Sequence, residues 1–222
     1  MKIRSVLSFI FVIACTSSVF SQDALLQPDQ ALKKLQDGNQ RFVSGNFMHP
    51  DQSSRRRAEL ERREDLVAGQ EPFAVIVSCS DSRVPPEVIF DQGLGDLFVA
   101  RVAGNVVGPL EMDSIEFSAD ILKSSLILVL GHENCGAVNA TLLGQAAPNH
   151  MSHVAPYLQS AVDKTKNMPG SRLVNAIKAN VQNVMKQLEG SPVLSPLIRD
   201  NKLKIIGAYY HLNSGKVELL QP

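Results

Sequence analysis

Four short apolar runs, each separated from the next by stretches of helical spacing or polar loop, limit what this chain can fold into. Residues 73–77, 97–102, 125–130 and 204–209 are too short for buried helices and are rich in Val, Ile and Leu, as buried strands are. Residues 111–123, 135–143, 150–167 and 173–188 read as helices, with Ile115, Phe117, Ala119 and Leu122 as the buried positions of the first. Pro169-Gly170 breaks the chain between the last two, and Gly190 and Pro192 end the fourth. Runs that are mostly apolar without alternating belong to strands covered on both faces, the pattern of a parallel sheet. Asn213-Ser214-Gly215 then turns the chain into 216–220, a closing hairpin or edge strand. The predicted fold is α/β: a mostly parallel central β-sheet flanked by helices, with an N-terminal helical arm and a C-terminal edge strand.

The arm is residues 28–44, with Leu32, Leu35, Phe42 and Val43 at helical spacing and Gly45 as the stop, followed by a charged helix over 55–68. Arg55-Arg56-Arg57 and Arg62-Arg63 are interleaved with Glu59, Glu61, Glu64 and Asp65, which makes a solvated face and not a nucleic-acid surface. No repeat or linker divides the chain.

The first 21 residues differ in kind. Lys2 and Arg4 precede the nearly continuous apolar stretch 6–14, and 16–22 is small and polar, the pattern of a signal peptide too short for a membrane span. Residues 22–222 then form a single domain with 20 basic against 22 acidic residues, a net charge near −2 that gives no general pull toward nucleic acid or membrane. Two processing readings compete. Cleavage after Val19-Phe20-Ser21 releases a soluble periplasmic or secreted protein, whereas Val12-Ile13-Ala14-Cys15 resembles a lipoprotein box that would anchor the chain by a lipid on Cys15.

Cys79 and Cys135 remain, each just past the end of a predicted strand. The first lies in Cys79-Ser80-Asp81-Ser82-Arg83 and the second in His132-Glu133-Asn134-Cys135-Gly136. Strand ends are where open α/β sheets place their sites. Two cysteines in an exported chain also fit a disulfide. Against that stand the neighbours: Cys79, His132 and Cys135 form a soft S/N/S set suited to zinc, with three protein ligands and one open position. If the chain stays extended after the first strand, Cys79, Asp81 and Arg83 line one side, with Arg83 keeping Asp81 ionised. His49, His150, His153 and His211 lack such company, Tyr209 and Tyr210 read as strand packing, and Gly104-Asn105 reads as a turn near the site.

The paired motifs resemble those of the β-class carbonic anhydrases, over most of 25–220, in a bacterial, exported member. The resemblance implies one zinc ion per chain on Cys79, His132 and Cys135, with Asp81 joining only in a closed state. It implies an Asp81–Arg83 dyad beside the metal and attack of zinc-bound hydroxide on CO2 to give bicarbonate and a proton. It also implies a homodimer or dimer of dimers, with the N-terminal helices wrapping a neighbour. Gln70, nine residues before Cys79, matches the glutamine of the plant-type branch that donates to substrate oxygen. The tryptophan of the other branch's inhibitory bicarbonate site is Ile76 here, although Arg101 of that site is present. Phe98 and Val102 are candidates for the apolar CO2 pocket. Hydrolysis of COS or CS2, or a noncatalytic zinc-binding role on the same fold, are the alternatives.

Overall fold

The computed structural model describes residues 25–48, 63–145 and 150–221, so the stretch 1–21 read as a signal peptide, Cys15, His49 and most of the charged 55–68 stretch lie outside the described residues. Helix α1, Pro28–Ser44, starts on a proline at its first turn and stops at Gly45, whose φ of 73° is the left-handed conformation glycine adopts without cost. A single 3₁₀ turn, Leu66–Ala68, precedes strand β1, Ala74–Ser78. Helix α2 (Pro86–Ile89), β2 (Leu97–Arg101), α3 (Pro109–Glu116), β3 (Leu126–His132) and α4 (Gly136–Leu142) follow. Then come α5 (Ala155–Lys164), α6 (Arg172–Glu189), α7 (Leu194–Arg199), β4 (Lys204–Tyr210) and β5 (Val217–Leu219).

The strands form one sheet in the order β2-β1-β3-β4-β5, with β5 alone antiparallel. The chain leaves β1 toward β2 on one side and returns to place β3 on the other. The exits of β1 and β3 therefore diverge, opening the crevice in which open α/β sheets hold their ligands.

Every residue of β1 and β3 is buried, which explains their unbroken apolar sequence. Val75, Val77, Ile127 and Val129 face Ile115 of α3 and Val181, Val184 and Leu188 of α6. Ala74, Ile76, Leu126 and Leu128 face Ala31 and Leu35 of α1 and Ile89 of α2. Gly131 lets α6 close on the end of β3, because a Cβ there would lie 2.8 Å from Val181 and 2.9 Å from Ile177.

The differences from the sequence reading have local causes. Phe117 is 46% exposed, not buried. Helical spacing from the buried Ile115 selects Ser118 and Ala119, and a residue two positions on points some 200° away. The helix there also widens into a π turn, Phe117–Ile121, in which the Leu122 N–H reaches the Phe117 carbonyl. Helix α5 starts only at Ala155, where Pro156 supplies a first-turn proline. Helices α2 and α7, of four and six residues, are too short to show a period. The α1 arm packs on its own sheet: the Asn39 amide donates to the carbonyls of Ile89 and Gly215 and accepts from the Val217 N–H.

Candidate metal centre

Cys79 follows β1 directly, and His132 is the last residue of β3. Cys135 caps the N-terminus of α4, after Asn134 has turned the chain with a φ of 53°. The two sulfurs and an imidazole nitrogen lie within 4.8 Å of one another, and all three residues are buried. They are the sole cluster of three His, Cys, Asp or Glu donors among the described residues. Tetrahedral zinc with Zn–S bonds of about 2.3 Å separates two sulfurs by about 3.8 Å, within that spacing.

The histidine is set up as a ligand. Its Nδ1 is 2.9 Å from the Glu133 carbonyl, so it donates there and leaves Nε2 with a free lone pair. That Nε2 is buried with no hydrogen-bond partner. A buried, unpaired acceptor between two buried thiols is costly unless something electron-deficient occupies the space. The residues thus fit zinc on their own chemistry. Glu133 is itself anchored to the end of β4: its N–H donates to the Tyr210 carbonyl and its carboxylate accepts from the Leu212 N–H.

Both cysteines are free thiols. Without an ion the pair shares a proton unevenly. The Cys135 thiol, first, and the N–H groups of Gly104 and Asp81 stabilise charge on Cys79 and hold its thiol well below the ordinary range. Cys135 is pushed up, first by that bond to Cys79 and then by burial, although the Ala137 and Val138 N–H groups at the start of α4 favour its thiolate. A dication favours both thiolates, so metal uptake releases protons.

Asp81 and Arg83 do meet, by a route the extended reading did not anticipate. The chain turns after Cys79, with the Val84 N–H bonded to the Asp81 carbonyl. Arg83 folds back on Asp81 through Nε at 2.9 Å and a terminal nitrogen at 2.7 Å, one to each carboxylate oxygen, and through its own N–H at 3.0 Å. This bidentate pair holds the Asp81 carboxyl well below the usual carboxylate range. Asp81 Oδ2 lies 3.9 Å from His132 Nε2, facing the space between the ligands.

Three supports were not assigned from sequence. Arg101 donates from Nε to the Cys79 carbonyl (3.0 Å) and from a terminal nitrogen to the Asp81 carbonyl (2.8 Å), clamping the turn. The Gly104 N–H donates to the Cys79 sulfur at 3.2 Å. Asn180 of α6 donates to the Gly104 carbonyl at 2.8 Å. A signal for Asn180 was available: it is the polar residue in the inward stripe Ala176, Ile177, Val181, Val184, Leu188.

The pocket residues divide. Val102 packs with Cys79, Cys135, Val106 and Leu158. Phe98 pairs with Val75, four residues back along β2 or about 13 Å, and packs on the cluster around Val107 and Ile115. Gln70 is exposed before β1, at the opposite end of the sheet from Cys79. Tyr209 and Tyr210 are buried strand residues as expected. His211 pairs with Glu218 at 3.1 Å, and His150 and His153 are exposed ahead of α5.

The profile of the carbonic anhydrase family matches residues 74–217. Carbonic anhydrase 2 of Mycobacterium tuberculosis is 40% identical over 200 residues, 86% of this chain and 92% of that protein. The carbonic anhydrase of Mycolicibacterium smegmatis is 38% identical over 197 residues, 86% of this chain and 93% of that protein. Among solved structures, the β-carbonic anhydrase CafA of Aspergillus fumigatus superposes with a TM-score of 0.67 at 26% identity, over 78% of this chain and 89% of that one.

Proposed function

From the premise that this chain belongs to the β-class carbonic anhydrases, zinc lyases that interconvert CO2 and bicarbonate, we propose how its own residues divide the work. Cys79, His132 and Cys135 hold the metal, and the observation that carries this is the buried, unpartnered His132 Nε2 beside two free thiols. Zinc, when bound, supplies the Lewis acidity that lets water lose a proton near pH 7. Two thiolates and a neutral imidazole offset the ion's charge, so orientation by the protein counts for more here than at an all-histidine site. Asp81 Oδ2 accepts a hydrogen bond from the attacking water and turns a lone pair toward the CO2 carbon. Arg83 holds both carboxylate oxygens and keeps Asp81 off the metal position, the open arrangement. Val102 supplies apolar wall beside the sulfurs.

The remaining assignments concern setting. Among the described residues β2 is an edge strand with no neighbour on its outer side, and Leu110, Phe117 and Ile121 stand exposed on the elements that follow it. The reading is a homodimer through this edge, with Gln70 and Phe98 serving the site of a second copy and not their own. Sedimentation of the natural protein against Phe117→Asp tests it, and a natural protein that stays monomeric at micromolar concentration removes it. The Lys2/Arg4 and 6–14 pattern supports export to the periplasm, as a soluble form or one anchored through Cys15. The mass of the mature N-terminus distinguishes the two, and an intact Met1 in cytoplasmic fractions defeats both.

The deciding experiment is stopped-flow CO2 hydration by the zinc-loaded protein beside Cys135→Ala. Loss of a ligand should remove zinc and at least about 10³-fold in kcat/KM, several kcal/mol of barrier. A natural protein with one zinc per chain and no hydration defeats the reading. Free-thiol titration after chelation should find two thiols per mature chain, and none would mean a bridge.

A further inference from the structure

We propose that Asn180, buried in the middle of α6, is a positioning residue for the metal centre: it holds the turn that aims the Gly104 N–H at the Cys79 sulfur. Asn180 is 1% exposed among the apolar residues that seat α6 on the sheet. A buried amide at such a place costs stability unless its hydrogen bonds are made. Its Nδ2 spends one on the Gly104 carbonyl, 2.8 Å away and 76 positions distant in sequence.

The Gly104 carbonyl and N–H belong to the two peptide groups that flank one Cα. Fixing the carbonyl therefore limits the rotation of the N–H. The turn is closed by the Asn105 N–H on the Val102 carbonyl at 2.9 Å, and Gly104 adopts φ 71°, ψ 18°. Glycine takes this left-handed conformation at the least cost, since it has no Cβ. The turn is also enclosed, since a Cβ at Gly104 would lie 3.1 Å from Leu158 and 3.4 Å from Ala137. With Leu158 and Ala137 on one side and Asn180 on the carbonyl, the N–H is directed at Cys79, 3.2 Å from its sulfur.

An N–H donor to a ligating thiolate withdraws charge from the sulfur and fixes its direction. Groups that orient ligands in this way typically change metal affinity 10- to 100-fold when removed. α6 lies far from the Cys and His motifs in sequence and provides none of the ligands. Through one amide it nonetheless bears on the electronic character of the Cys79–metal bond. The assignment rests on the metal site and not on the rate of any reaction, and its readouts are chosen accordingly.

The test compares Asn180→Leu with Val184→Ala in the full-length protein. Val184 is a buried neighbour one turn along α6, in the cluster away from the sulfurs. Each variant is loaded with cobalt for its thiolate-to-metal charge-transfer band, titrated for zinc against a chelator, and melted. The expected result is zinc affinity about 10-fold weaker and a shifted band for Asn180→Leu. Val184→Ala should lose melting temperature with both metal readouts unmoved. A folded Asn180→Leu with zinc affinity within twofold and an unshifted band overturns the proposal, as does an equal effect from Val184→Ala. If Asn180→Leu does not fold, the milder Asn180→Ser is loaded with NMR-active cadmium beside the natural protein. A coupling between the Gly104 amide proton and the metal that is present in the natural protein and lost or reduced in Asn180→Ser supports the proposal. A coupling equal in both, or absent from the natural protein, overturns it.

Discussion

The two cysteines of the metal centre are held in different ways. Cys135 is placed by its own neighbourhood: a left-handed Asn134 turns the chain and Cys135 takes the N-cap position of α4, next to the free N–H groups of its first turn. Cys79 is placed from a distance. Arg101 holds its carbonyl from the end of β2, Gly104 donates to its sulfur from the following turn, and Asn180 steadies that turn from α6. One ligand is a local motif and the other is the meeting point of three elements. Damage to packing should therefore reach the metal through Cys79 before it reaches it through Cys135.

The comparison can be broken most forcefully at Arg101. Its two donors bridge the Cys79 and Asp81 carbonyls, so Arg101→Ala should weaken zinc binding and CO2 hydration by about 10- to 100-fold. Arg101→Lys should recover little, because an ammonium is a point charge without the guanidinium fork. Zinc affinity and kcat/KM equal to the natural protein's in Arg101→Ala would show that the Cys79 turn is self-sufficient.

A pair of glycines sharpens it further. Gly104→Ala places a Cβ at a positive φ against Leu158 and should cost about 2 kcal/mol. Gly136→Ala, beside the other cysteine, meets nothing within 4 Å and has no positive φ, so stability should stay within about 0.5 kcal/mol. Denaturant melts of the two variants check both, and equal losses would erase the asymmetry.

The smallest effect is electrostatic. The folded-state pKa of Asp81 is depressed by Arg83 below the unfolded value of about 3.9. The pair therefore contributes stability above that value, and the contribution disappears as pH falls through the folded-state range. In metal-free protein, Asp81→Asn should melt lower than the natural protein near pH 7, by no more than about 1 kcal/mol because Arg83 faces water. The gap should close toward pH 2. A gap constant with pH would show that Asp81 is not paired in solution.

These asymmetries match what could be read in advance. The β1 and β3 runs are legible because burial on both faces leaves Val75–Val77 and Leu126–Leu130 apolar without alternation. The Cys-x-Asp-x-Arg and His-x-x-Cys motifs were legible because neighbours in sequence remain neighbours in space. Phe117 is exposed despite its hydrophobicity because, two positions from the buried Ile115, it lies on the opposite side of the helix. Residue type and local spacing give Arg101 and Gly104 no such role, since the carbonyl and the sulfur they bind belong to another strand's end.

The sequence by itself determined the strands, the three candidate metal-ligating side chains, the Asp81–Arg83 neighbourhood and the N-terminal pattern, all of which depend on residue type and short spacing. Tertiary structure alone decided that β1 and β3 lie side by side, so that donors 53 positions apart meet at one crevice. It also decided that Arg101, Gly104 and Asn180 converge on Cys79 while Gln70 and Phe98 stand away from the site of their own chain. The reason is physical. Side-chain chemistry and local backbone preference are properties of a few adjacent residues, whereas a hydrogen bond across 76 positions exists only once the sheet and α6 have packed.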